Sequence, residues 1–177
     1  IEQSYNCVSV DGDTSTNDTY TILANGMAGN PEINCEGEDF EKFFEALNAI
    51  NIQMAKKIAG DGEGACRLIE CNVKGAYSVE IARGLAKSVI SSSLVKAAFF
   101  GKDANWGRIL CAMGYSSYEF TPEKTSVYFE SAKDSKRPGF TDFTGEQTGK
   151  KSSIMVFDHG VPLNFDEDLA KEILSEE

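Results

Sequence analysis

The residues best suited to do chemistry lie in a short glycine-rich run, Gly60-Asp61-Gly62-Glu63-Gly64. Alternating glycines give the backbone unusual freedom to approach a ligand, and Glu63 is the carboxylate such a backbone would present. A carboxylate held that way suits a cationic ammonium group. The run is not a phosphate cradle. Its spacing matches neither the dinucleotide nor the P-loop fingerprint, it follows a helical pattern instead of a strand, and Asp61 and Glu63 would repel phosphate. The same residues also read as a plain helix-to-strand turn needing positive φ, with Glu63 merely solvated.

Other chemistry-bearing residues carry less. His159 is the single histidine and is followed by a glycine. Any Ser-His-Asp or Cys-His arrangement would have to use it, and no Gly-x-Ser-x-Gly elbow supplies a nucleophile. It reads as a solvent-facing turn residue. Asp11-x-Asp13-x-Ser15 begins like a calcium loop, but Thr16 and Ile22 stand where an EF-hand needs glycine and glutamate. A hydrogen-bonded turn of short polar side chains is the better reading, with a divalent ion in another geometry left open. Trp106, between Asn105 and Arg108, fits either a ligand stack or a core anchor with its N–H bonded. The five cysteines (Cys7, Cys35, Cys66, Cys71, Cys111) are scattered. On an expected strand, Cys66 and Cys71 point to opposite faces, which argues against zinc. Their usage fits a reducing compartment, with thiols packed as small hydrophobes.

The elements that must position these groups follow from periodicity. Tyr5 to Asp11 and Thr19 to Ala24 read as strands around the polar loop from Asp11 to Asp18. From Asp39 to Ala59 the apolar residues Phe40, Phe43, Phe44, Leu47, Ile50, Met54 and Ile58 recur at steps of three and four, predicting a long helix. Asp39 is its expected N-cap and Gly60 its stop. Ala65 to Gly75 is an expected strand with Arg67, Ile69, Cys71 and Val73 on one face. Ser78 caps a helix whose stripe is Ile81, Leu85 and Val89. Leu94 to Phe100 is apolar and too short to type by period. A helix runs through Met113 to a stop at Gly114, strands are expected at Ser126 to Glu130 and Ile154 to Phe157, and Asp166 caps a final helix with Leu169, Ala170, Ile173 and Leu174 inward. The polar stretch 131–152, with Pro138 and several charges, reads as an exposed excursion. This order predicts a mixed α/β fold.

Composition narrows the function classes. The chain has 177 residues, 17 basic and 28 acidic, for a net charge of −11. No basic stripe is present to neutralise phosphates, which argues against a nucleic-acid partner. No apolar run approaches the ~20 residues that cross a bilayer. Ile1-Glu2-Gln3-Ser4 is not the start of a secretory signal, so a cytoplasmic location is expected.

The combination of segments goes further. Asp11-Gly12-Asp13-Thr14-Ser15-Thr16-Asn17-Asp18 leads into Ile22-Leu23-Ala24-Asn25-Gly26. Then come Gly60-Asp61-Gly62-Glu63-Gly64-Ala65, Leu68-Ile69-Glu70, and Lys102-Asp103-Ala104-Asn105-Trp106-Gly107-Arg108-Ile109. In order and spacing these resemble the β chain of the ornithine acetyltransferase family, also called the bifunctional arginine-biosynthesis protein ArgJ family. The likeness covers most of Tyr5 to Tyr118 and, more weakly, Pro162 to Leu174. Ala104 replaces the usual proline and Cys66 the usual threonine.

The resemblance implies a layered sheet-and-helix core of the ArgJ/DmpA-like type at 1–115, with a smaller C-terminal α/β unit at 116–177 carrying the polar insertion 131–152. It implies an acyltransferase without cofactor or metal, moving acetyl from N-acetylornithine to glutamate through an acetylated threonine; acetyl-CoA is a further possible donor. It also implies an α chain freed from the same precursor by self-cleavage and an α2β2 heterotetramer. The nucleophilic threonine uses its own α-amine as base, so a chain nearly devoid of histidine is compatible. Glu63 matches the family's substrate-contacting glutamate, facing the ammonium of ornithine or acetylornithine. Ile1 aligns downstream of the cleavage point, and the family continues past Glu177. The chain is therefore expected to be the interior of a β chain, with no catalytic residue of its own among Thr14, Thr16 and Thr19 and no activity alone. Two rival readings remain: an N-terminal-nucleophile amidohydrolase or aminopeptidase, and a non-catalytic amino-acid-binding module.

Overall fold

The computed structural model describes residues 1–131 and 153–175. Five helices and three short strands occur among them: α1 (Glu38–Gly60), α2 (Val79–Ser91), α3 (Ser93–Phe100), α4 (Trp106–Gly114), β1 (Val127–Glu130), β2 (Ser153–Asp158), β3 (Val161–Pro162) and α5 (Glu167–Ile173). The mixed α/β class is as expected. Residues 132–152 of the polar excursion lie outside the described residues.

Caps set most helix starts. Ser78 accepts a hydrogen bond from the Ile81 N–H at 3.2 Å and opens α2. Ser92, the lone residue between α2 and α3, accepts from the Val95 N–H at 3.3 Å. Asn105 accepts from the Arg108 N–H at 3.1 Å, and Asp166 from the N–H groups of Asp168 and Leu169, both at 3.0 Å. Each satisfies a donor that the first helical turn leaves unpaired. The short apolar run Leu94 to Phe100 is thereby typed as helix. The expected cap at Asp39 is displaced: Gly37 is the N-cap of α1 and makes no side-chain cap. Asp39 instead lies within the first turn with Glu38 and Glu41, where negative charge complements the helix dipole.

Two apolar clusters form the core. Leu85 and Val89 of α2 pack with Val95, Ala112 and Met113 of α3 and α4. Val127, Phe129, Val156 and Phe157 pack with Ala104 and with Ala170, Ile173 and Leu174 around α5. Phe99, Ile109 and Leu110 touch both clusters and join them. Close approach matters at Gly84, where an added Cβ would lie 2.0 Å from Tyr118 Cε2. The sheet is antiparallel in the order β1-β2-β3, with Phe129 opposite Ile154 and a register irregularity between Val127 and Tyr128.

Three expected strands do not form. Tyr5–Cys7 is a single 3-10 turn, held by the Cys7 N–H donating to the Ser4 carbonyl at 3.0 Å. Residues 19–24 and 65–75 join no ladder among the described residues. A strand exists only where a neighbouring backbone takes its N–H and C=O groups, and alternation in sequence cannot supply that neighbour. The face assignment of the third segment is nevertheless observed: Arg67, Ile69, Cys71 and Val73 are half-buried, while Leu68, Glu70, Asn72 and Lys74 are exposed.

Candidate functional site

A cavity of about 1830 Å³ opens between the N-terminal segment, α1, residues 62–74 and α2; Glu63 lines it, as do Val10, Gly62, Arg67, Lys87 and Lys96. The glycine loop gets there by ending α1 and turning at once. The Asp61 N–H donates to the Lys57 carbonyl at 3.0 Å, closing the helix, and the Ala65 N–H donates to the Gly62 carbonyl at 2.8 Å, closing the turn. Gly64 takes φ +72, a conformation that a residue with a Cβ adopts at a cost. Glu63 therefore projects from a tight turn and is exposed. Among the described residues it makes no ion pair. Its charge is available to a cationic group entering the cavity.

Three of the cations that line the cavity are engaged. Lys56 pairs with Glu70 at 2.8 Å across the cavity wall. Lys87 Nζ donates to the Asn6 carbonyl at 2.9 Å and Lys96 Nζ to the Val10 carbonyl at 2.6 Å. Asn51, buried in the middle of α1, accepts from the hydroxyls of Tyr5 at 3.4 Å and Tyr20 at 3.0 Å. Lys87, Lys96 and Asn51 tie the N-terminal segment to the helices, and sequence patterns did not single them out. One signal was present: Lys96 is the only charged residue in the apolar run from Leu94 to Phe100.

Of the other sequence candidates, Cys7, Cys66 and Cys71 line the cavity, and His159, Trp106 and Asp11 do not. His159 is exposed, at φ +45 in the β2–β3 turn. Its Nδ1 lies 2.7 Å from Asp158 Oδ1, and Ser126 Oγ donates to that same oxygen at 2.6 Å. The serine thus bonds to the carboxylate and not to the imidazole, the wrong order for activating a nucleophile. Those two hydrogen bonds, Ser126 first, hold the Asp158 carboxyl below its ordinary pKa. The Asp11 loop forms the expected turn, with the Asp13 N–H donating to Asp11 Oδ1 at 2.8 Å. Trp106 stacks on Phe157 at 5.0 Å between ring centroids, the core-anchor reading. Cys71 is half-buried, and burial, reinforced by Glu70, pushes its thiol up to about 11, so it is no nucleophile near neutral pH. Contrary to the expectation of packed thiols, Cys7, Cys35, Cys66 and Cys111 are exposed. Cys7, Cys35 and Cys66 lie outside α1–α5 and the sheet, and Cys111 is on an exposed side of α4; side-chain polarity alone does not bury a residue.

Fold and site together define a mixed α/β chain that presents a carboxylate on a glycine turn beside a large cavity. The sequence model of the ArgJ family matches residues 1–177, and the chain belongs to that family. It is 49% identical over 174 residues to arginine biosynthesis bifunctional protein ArgJ 1 of Clostridium acetobutylicum, covering 98% of this chain and 38% of that protein. It is 44% identical over 176 residues to arginine biosynthesis bifunctional protein ArgJ of Thermotoga neapolitana, covering 99% and 40%. The crystal structure of arginine biosynthesis bifunctional protein ArgJ from Bacillus halodurans superposes with a TM-score of 0.82 at 36% identity, covering 99% of this chain and 72% of that one. The chain thus spans about two fifths of the length of the curated relatives, 38% and 40%.

Proposed function

We propose that the chain is the β portion of a glutamate N-acetyltransferase of arginine biosynthesis, and that Glu63 binds the ammonium group of its amino-acid substrates. Acetyl leaves N-acetylornithine when a threonine hydroxyl, from polypeptide outside these residues, attacks the amide carbonyl. The released α-amine takes up the proton, and ornithine departs. The amine of glutamate then attacks the acetyl-threonine ester, and the hydroxyl is restored. Glu63 faces the side-chain ammonium of N-acetylornithine, which persists through the first step, so its role is to hold and orient, not to move a proton. The partner is the α chain of the same precursor in an α2β2 assembly in the cytoplasm, with acetyl-CoA as a further donor. The division into 1–115 and 116–177 belongs to the same reading, and limited proteolysis between residues 115 and 122 tests it.

Membership of the ArgJ family supports this reading, and the observation that carries it is the Glu63 carboxylate on the cavity wall, which makes no ion pair among the described residues. Among the described residues no helix is long and apolar enough to cross a membrane. Calorimetric titration with ornithine tests it. Glu63→Gln should weaken binding about five- to tenfold, since it exchanges a charge-assisted contact worth about 1–1.5 kcal/mol for a neutral one. An unchanged dissociation constant removes Glu63 from the site. Incubated alone with N-acetylornithine and glutamate, the chain should leave both intact, and turnover should begin only when the remaining polypeptide is supplied.

A further inference from the structure

The segment from Asn6 to Val10 lines one wall of the cavity without joining a sheet. Backbone carbonyls need partners, and two of this segment's are met by ammonium groups from the helices. Lys87 of α2 holds the Asn6 carbonyl at 2.9 Å, and Lys96 of α3 holds the Val10 carbonyl at 2.6 Å. Ser91 Oγ meets Ser9 Oγ at 3.1 Å between them. On the far side Asn51 of α1 anchors Tyr5 and Tyr20.

The end of this strap reaches the glycine loop. A Cβ built on Gly62 would lie 3.1 Å from Val10 Cγ1, closer than ordinary van der Waals contact. The Val10 side chain therefore occupies the space beside Gly62, one residue from Glu63. Lys96 stands on a firm base: its neighbours Val95 and Ala98 on α3 are 1% and 3% exposed.

We propose that Lys96 is a positioning residue that holds the Glu63 loop in place through Val10. The ammonium fixes the Val10 carbonyl, the Val10 side chain rests on Gly62, and the turn that aims Glu63 into the cavity is braced from outside. Lys96 itself touches no substrate. The ligand side of this inference rests on the Glu63 reading above; the mechanical side does not.

Hydrogen exchange and ornithine calorimetry on the 177-residue chain test both sides. Lys96→Met keeps the aliphatic stem and removes the donor. It should raise amide exchange at residues 62–65 at least about threefold, leave α2 and α3 unchanged, and weaken ornithine binding about threefold. Lys96→Arg, which keeps a cationic donor, should restore both to within about twofold. Gly62→Ala displaces Val10 with Lys96 intact and should loosen the same amides. Loop exchange in Lys96→Met equal to the parent overturns the proposal, as does a rise spread over α2 and α3. Loosening of the loop with ornithine affinity indifferent to Glu63→Gln keeps the brace and discards the substrate reading.

Discussion

Helices α1 and α2 carry the same kind of pattern and meet opposite fates. The stripe of α2 is packed: Leu85 is 2% and Val89 4% exposed, enclosed by α3 and α4. The stripe of α1 faces outward, with Phe43 58%, Ile50 58% and Ile58 53% exposed. The buried side, with Asn51 and Ala55, adjoins the stripe along the line of Leu47, which is half-buried. In α2, period and packing agree. In α1 the period marks a face that the described residues do not cover, and a polar residue, Asn51, lies where burial occurs. An amphipathic stripe therefore states that a helix has something to bury, not that this chain supplies the cover.

The largest effect that would break this contrast is a core truncation. Leu85→Ala should destabilise the chain by about 3 kcal/mol, whereas Ile50→Ala on the open stripe should cost under about 0.5 kcal/mol. Both are read by urea denaturation, and similar losses would show that α1 is packed after all. Next comes overpacking at the α2 interface. Gly84→Ala should cost about 1–2 kcal/mol because its methyl meets the Tyr118 ring, despite the better helix propensity of alanine. A gain in stability would mean the ring swings aside freely. The smallest effect sharpens the comparison from the α1 side. Phe43→Ser with Ile50→Ser should change the unfolding free energy by less than about 0.5 kcal/mol, yet reduce concentration-dependent association in sedimentation measurements. Unchanged association would show that the stripe is not sticky in solution.

Much of the helical scaffold was legible because its signals are local. Ser78 and Asp166 cap helices as their side-chain chemistry predicts, and the stripe of α2 lies where its period places it. The glycine turn that carries Glu63 was legible for the same reason, since a helix stop and a positive φ are properties of a few adjacent residues. The strands at 5–11, 19–24 and 65–75 were over-read. Their alternation is real, and in the last of them it governs which side chains are sheltered. A ladder, however, needs a second backbone, often far away in the chain or outside it.

By itself, the sequence determined the α/β class, the boundaries of the major helices, a lone histidine in a turn, and a carboxylate on a glycine turn. These follow from bond geometry and contacts a few residues long. Tertiary structure alone decided that this carboxylate lines a cavity, that Lys87, Lys96 and Asn51 hold the N-terminal segment beside it, and that the α1 stripe points away from the core. Each of those depends on groups separated by tens of residues, brought together only when the chain gives up its conformational freedom for packing.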